Sequence, residues 1–212
     1  MVEFSITEER LALLRLDVGE GLSPYRYAHI LGVENAIVRL GTLYCASDLP
    51  LLRAAALLHD LTKEYPPHLH EELLLASGYA VTPTDRLSPK LYHAMTAPIV
   101  IRERFPDLAN DTLLDAVRYH TTGRPQMGIH EMLLYLADYI EEYRTFPQCV
   151  ALRDHFWDAK PELMDAEERM RHLISTLILS FDMTVKDLLE ESAPISPDSI
   201  LARNALIAKL HR

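Results

Sequence analysis

The sequence predicts an all-α protein, and three observations carry that prediction. Apolar residues recur at intervals of three and four along nearly the whole chain, alternating strand-like runs are nearly absent, and Ser-Pro, Pro-Pro and Gly punctuation cuts the pattern into helix-length pieces. With 212 residues, 49% of them apolar, the chain can bury one continuous core, so a single domain spanning 1–212 is expected.

Taken in order, Ser23 followed by Pro24 reads as an N-cap with proline at the first helical position, opening a helix to about residue 46. Asp48 caps the next helix, whose apolar run over 51–61 ends on the adjacent pair His59-Asp60. Pro66-Pro67 stops that element, and Gly78 closes a short amphipathic helix after it. Ser88-Pro89 opens a helix to about Phe105 that is expected to kink near Pro98. Asn110 or Asp111 starts the next, which finishes at His120-Thr121-Thr122-Gly123 with glycine beyond its C-terminus. Further helices are expected over residues 130–144, 147–159, 161–181 and 198–211. No repeat, low-complexity tract or long Gly/Ser linker interrupts the chain; the polar, proline-containing stretch 190–197 is the weakest seam, and the segment after residue 150 is expected to dock as a helical extension.

The formal charge of −10 argues against a nucleic-acid partner, since tracking phosphates requires clustered Lys and Arg. Cys45 and Cys149 share no metal-binding spacing and suit a reducing compartment as free thiols, neither ligand nor nucleophile. The first ten residues carry three glutamates and no basic segment, unlike a signal peptide, and no apolar stretch approaches the ~20 residues of a membrane span. A cytoplasmic protein with no membrane partner is the expectation.

The chemistry concentrates at Leu58-His59-Asp60-Leu61-Thr62-Lys63. An unpaired buried charge is costly, and a metal ion satisfies a neutral imidazole and a carboxylate together. His29, His93, His120 and Asp138 stand at wide intervals in or at the ends of predicted helices, and helical bundles assemble metal sites from such remote side chains. Successive helical residues diverge by roughly 100°, so Asp60 points away from His59 and can bridge toward a second ion or a phosphate. Four histidines and two aspartates without thiolate form a nitrogen and oxygen site, suited to iron, manganese, zinc, nickel or cobalt. Lys63, four residues after His59, falls on the same helical face, where its ammonium could reach a phosphate.

These residues carry a resemblance. Arg26-Tyr27-Ala28-His29, the His59-Asp60 motif with Lys63, Leu91-Tyr92-His93, Tyr119-His120-Thr121-Thr122-Gly123, and Ala137-Asp138-Tyr139-Ile140-Glu141 with Arg144 resemble, in this order, the motifs of bacterial HD-domain phosphohydrolases of the YqeK type. The match spans about residues 20–150, and Ala202-Arg203-Asn204 is similar to the family's end. The resemblance implies an HD-domain helical bundle with a motif core of about 23–150 and an extension over 151–212. It implies symmetrical hydrolysis of diadenosine tetraphosphate to two ADP by metal-activated hydroxide, with iron as the metal, manganese or another divalent ion as substitutes, and one or two ions bound. His29, His59, Asp60 and Asp138 would hold the principal ion. His93 and His120 would hold a second or bind phosphates, and Arg26, Lys63, Thr121, Tyr139 and Arg144 would face the nucleotide. Asp60 and Lys63 are the expected catalytic residues, the partner is a small-molecule dinucleoside polyphosphate, and a homodimer is left open.

The chain departs from the family pattern at Tyr92, at Ala94-Met95 and Ala97-Pro98 after His93, in lacking an acidic residue before Pro89, and at Glu142 where proline is usual. Two rival functions use the same residues: an HD-type nucleotidase acting on nucleoside monophosphates or a guanosine alarmone, and a metal- or nucleotide-binding regulatory module with little turnover. His68, His70, His130, His155, His172 and His211 lie outside the motifs and are expected to be solvated or capping, as Glu141-Glu142 is expected to form a solvated helix face.

Overall fold

The computed structural model describes residues 6–211, and every regular element among them is helical. Helix α1 (Glu8–Gly19) is capped by Thr7, which accepts from Arg10 N at 3.2 Å. The sequence periodicity does not single it out, because Leu13 and Leu16 on its outer face blur the stripe formed by buried Leu11, Leu14 and Val18. Helix α2 (Pro24–Tyr44) starts as expected, with Ser23 accepting from Arg26 N and Pro24 in the first turn.

Helix α3 (Leu49–Leu58) is the hub of the bundle. It packs on α1 and α2, and also on α7 (Asp111–Tyr119) and α8 (Ile129–Ile140), and all residues 54–58 are buried. Asp48 precedes it but makes no cap hydrogen bond; its carboxylate is drawn to His130 instead. Helices α4 (Pro67–Ala76) and the four-residue α5 (Pro83–Arg86) lead to α6 (Tyr92–Arg104), which contains Pro98 and follows a 3-10 turn over Pro89–Leu91.

From α8 onward, three boundaries differ from expectation. Helix α8 ends at Ile140 rather than near residue 144, because Glu141 turns extended (φ −60°, ψ 150°) and sends its side chain back into the bundle. Helix α9 (Pro147–Asp158) keeps its expected span, whereas Pro161 opens only a 3-10 turn. Helix α10 (Ala166–Glu190) begins at a capping box on Asp165 and outruns the predicted end by nine residues, its outer half being amphipathic rather than apolar. Helix α11 (Pro197–Leu210) packs along α10, and its Ala202 is fully buried.

Candidate metal centre

Five helices converge on one buried cluster. His29 projects from the first turns of α2, His59 ends α3, Asp60 occupies the turn after it, His93 lies in the first turn of α6, His120 ends α7 and Asp138 sits near the end of α8. All six are buried. The helix carrying the His-Asp pair is shorter than the sequence suggests. Beyond Leu58 the chain proceeds through successive tight turns, with Leu61 N, Lys63 N and Tyr65 N each donating to the carbonyl three residues earlier. His59 and Lys63 therefore do not share a helical face. Lys63 is brought to the site by the turn instead, its Nζ 3.9 Å from Asp60 Oδ1 and 3.1 Å from His93 Nε2.

Asp60 faces two ways. Its Oδ2 lies 3.7 Å from both His29 Nε2 and His59 Nε2 and 2.5 Å from Arg26 Nη1, while Oδ1 lies 3.2 Å from His93 Nε2 and 3.8 Å from His120 Nε2. Asp138 Oδ1 stands 3.0 Å from His29 Nε2 and 3.7 Å from His59 Nε2. Two overlapping ligand sets result, His29–His59–Asp138 and His59–Asp60–His120, each with its donor atoms within 4.8 Å of one another.

The imidazoles are oriented for ligation. His59 Nδ1 and His120 Nδ1 each donate to a carbonyl of their own helix, Ala56 O and Val117 O, at 2.6 Å, and His29 Nδ1 lies 3.1 Å from Glu141 Oε1. With Nδ1 engaged as donor, Nε2 is the nitrogen turned toward the two aspartates; His29 Nε2 approaches Asp138 Oδ1 at 3.0 Å, but neither it nor His59 Nε2 makes a well-aligned hydrogen bond, and both are buried. Orphaned buried nitrogens next to two carboxylates are what a divalent cation would satisfy, so the residues present fit a metal.

Burial, with His59 alongside, lowers the His120 pKa to about 4, and burial also drives His93 well below the ordinary imidazole range, keeping both neutral. His29 goes the other way. Burial pulls it down, but Asp138 and Glu141 outweigh that and raise it to about 8, so without a cation it retains a proton that a metal ion would replace. Burial would lift both aspartates, yet Asp60 is held below its ordinary range by His59, His93 and Lys63, and Asp138 by Arg144 and the two histidines.

Arg26 and Arg144 lie closer to the ligands than expected. Arg26 pairs with Asp60, and Arg144 folds back to grip Asp138 twice, Nε to its carbonyl and Nη2 to Oδ1, both at 2.5 Å. Thr121 Oγ1 lies 3.3 Å from His93 Nε2 and 3.1 Å from His120 Nε2. Thr121 and Tyr139 also line a cleft of about 570 Å³ that runs on to Lys90, Gln148 and Asp187, so the cleft borders the centre; the Tyr139 hydroxyl is hydrogen-bonded to Thr184.

Glu141 is the residue sequence reasoning missed. It is 1% exposed rather than solvated, holds His29 with Oε1 and accepts from Tyr143 N with Oε2; Glu142 is exposed as expected. Space for Glu141 comes from Gly32, where a Cβ would sit 2.3 Å from Glu141 Oε2. His70 is likewise buried, not solvated. Its Nδ1 bonds Thr96 Oγ1 at 2.8 Å; Thr96 meets Thr62 Oγ1 at 2.9 Å, and Thr62 donates to His93 O, tying the turn after His59 to α6. His130 and His172 are half-buried and bonded to Asp48 and Phe156 O, while His68, His155 and His211 are exposed.

The HD domain family model matches residues 26–143. A symmetrical bis(5'-nucleosyl)-tetraphosphatase of Bacillus subtilis is 30% identical over 201 residues, 95% of this chain and 97% of that one, and its counterpart in Halalkalibacterium halodurans is 32% identical over 88% of this chain and 91% of that one. A crystal structure from Clostridium acetobutylicum, described as a predicted HD superfamily hydrolase involved in NAD metabolism, superposes with a TM-score of 0.79 at 30% identity, covering 93% of this chain and 97% of that one.

Proposed function

The chain belongs to the HD domain family and, within it, to the symmetrical bis(5'-nucleosyl)-tetraphosphatases, and on that premise we propose that it hydrolyses diadenosine tetraphosphate to two ADP at the cluster around Asp60. One water is consumed: a bond forms from its oxygen to one of the two central phosphorus atoms, and the bond from that phosphorus to the central bridging oxygen breaks. We assign the divalent ion to His29, His59, Asp60 and Asp138. Iron is the ion this reading names, with manganese as substitute, in keeping with a nitrogen and oxygen donor set. When bound, the ion lowers the pKa of water and draws charge from a phosphoryl oxygen.

The observation that carries the reading is the two-sided placement of Asp60, with one oxygen toward His29 and His59 and the other toward His93 and His120. An imidazole offers one free nitrogen, whereas a carboxylate has two oxygens, so Asp60 would hold the ion with one and face the His93, His120 and Lys63 side of the cluster with the other. On the second side, Lys63 Nζ and Thr121 Oγ1 lie within 3.3 Å of His93 Nε2, a cluster of donors suited to phosphate oxygens. The fixed tautomer of His120 suits its Nε2 to a second ion instead. Arg144 holds Asp138 in orientation, and Arg26 keeps its buried Nε unpartnered, available to a phosphate. The cleft beside Thr121 and Tyr139 accommodates a nucleoside, and the charge of −10 favours a small-molecule substrate over nucleic acid.

The test is product identification with ferrous or manganous ion supplied under anaerobic conditions. ADP as sole nucleotide product is expected, and Asp60→Asn should lower turnover by orders of magnitude. Formation of ATP plus AMP would overturn the symmetrical assignment, and nucleotide binding without turnover would favour the regulatory reading.

A further inference from the structure

A second cluster of unlike donors lies away from the centre just described. Cys45 terminates α2, Asp48 closes the 3-10 turn that follows, and His130 sits in the first turn of α8. Their ligand atoms lie within 4.8 Å of one another: Cys45 Sγ is 3.5 Å from Asp48 Oδ2 and 3.8 Å from His130 Nε2, and His130 Nε2 is 2.8 Å from Asp48 Oδ2. All three are half-buried, so solvent reaches the cluster.

From this arrangement we propose that Cys45, Asp48 and His130 form a separate binding site for a soft divalent cation of the zinc class, with water in the fourth position. A tetrahedral ion bonded to sulfur at about 2.3 Å and to nitrogen and oxygen at about 2.0–2.2 Å holds its donors roughly 3.3–3.6 Å apart. The two sulfur distances already fall close to that spacing, and only the nitrogen–oxygen pair has to open, by about half an ångström. On binding, the Cys45 thiol loses its proton to solvent as the sulfur–metal bond forms, and thiolate plus carboxylate neutralise the ion. The donor chemistry separates the two sites. A thiolate selects zinc-like ions, whereas the sulfur-free set around Asp60 accepts harder ones.

The position of the site gives it a structural consequence. It clamps the corner between α2 and α3 to the start of α8, and those three helices deliver His29, His59 and Asp138. An ion here braces the frame of the main centre without touching it.

Cobalt(II) titration tests the proposal, because only a thiolate ligand gives a sulfur-to-cobalt charge-transfer band in the near ultraviolet. The full chain should develop that band at a saturable site, and zinc should abolish it. Cys45→Ser should remove it, Cys149→Ser should leave it, and His130→Gln should weaken cobalt binding by about tenfold or more, the scale on which even outer-shell changes weaken metal sites. The weaker visible bands of cobalt in the nitrogen and oxygen centre, retained in Cys45→Ser, report that this variant is folded. Absence of the near-ultraviolet band in the full chain, or its persistence in Cys45→Ser, overturns the site and leaves the three residues as a hydrogen-bonded cluster only.

Discussion

Asp60 and Glu141 illustrate two ways in which a single buried carboxylate shapes this centre. Asp60 reaches both sides directly, while Glu141 acts through His29, whose Nδ1 it holds at 3.1 Å. Gly32 is the residue that permits the second arrangement, since any Cβ there would meet Glu141 Oε2 at 2.3 Å and Tyr143 Cδ2 at 2.8 Å. Gly32→Ala is therefore expected to push Glu141 off His29 and weaken metal binding by about 10–100-fold, as lost outer-shell support does elsewhere. Metal titration checks this, and Glu141→Gln, which can still accept from His29, should lose less. His29, His59, Asp60 and Asp138, which the fold gathers into one buried cluster, stand out in the sequence because they fall in three separate motifs, His59 and Asp60 sharing one. Gly32 and Glu141 do not, because their meaning lies in a contact between two helices that no local pattern encodes.

At the scale of elements, helix starts were legible where a side-chain cap marks them. Ser23-Pro24 and Asn110 announce themselves because a side chain caps the first turn locally. The ends of α3 and α8 were misread because tertiary demands cut them short: the turns after Leu58 swing Asp60 and Lys63 inward, and Glu141 leaves the helix for His29. Arg144 then doubles back, and the carbonyls of Glu141 and Arg144 are both bonded by Arg153 Nη1. Arg144→Lys cannot reproduce the two-pronged grip on Asp138 and is expected to lower kcat/KM by about tenfold or more, matching the ~1.5–3 kcal/mol of a charged hydrogen bond. Steady-state kinetics at saturating metal would reveal it. For α10, Asp165 accepts from Glu167 N and Glu168 N at 2.9 Å, so Asp165→Ala should reduce stability by about 1 kcal/mol with activity preserved, as followed by thermal melting.

For the whole molecule, the all-α class followed from periodicity, the scarcity of strand-like runs and the helix punctuation, but the route by which the C-terminal helices support the site did not. The turn after His120 passes through Gly123 at φ +64°, where a Cβ would lie 2.7 Å from Phe181 Cζ of α10 and 3.0 Å from Ala202 Cβ of α11. Phe181 in turn stacks on Tyr135 of α8 at 4.6 Å. The extension is thus packed against the chain segment that sets His120, and Ala202→Leu should displace that segment. Reduced turnover with a melting midpoint lowered by several degrees is the expected outcome, on the scale of the ~1–3 kcal/mol of an overpacked core. Among the described residues no helix is long and apolar enough to cross a membrane.

One consequence concerns the field a substrate meets on approach. Within the centre, the carboxylates of Asp60, Asp138 and Glu141 face the cations Arg26, Lys63 and Arg144, and the proton on His29 leaves the cluster only weakly positive before a metal ion enters. A divalent ion in place of that proton makes this one spot more cationic inside a chain of formal charge −10, so a polyphosphate is repelled at long range and attracted only on arrival. Inert salt shields the distant repulsion over a Debye length of about 10 Å at 0.1 M and reaches the buried contacts much less. Raising ionic strength from low to physiological values should therefore increase kcat/KM, by about twofold or more, where an enzyme that steers its substrate electrostatically would slow down.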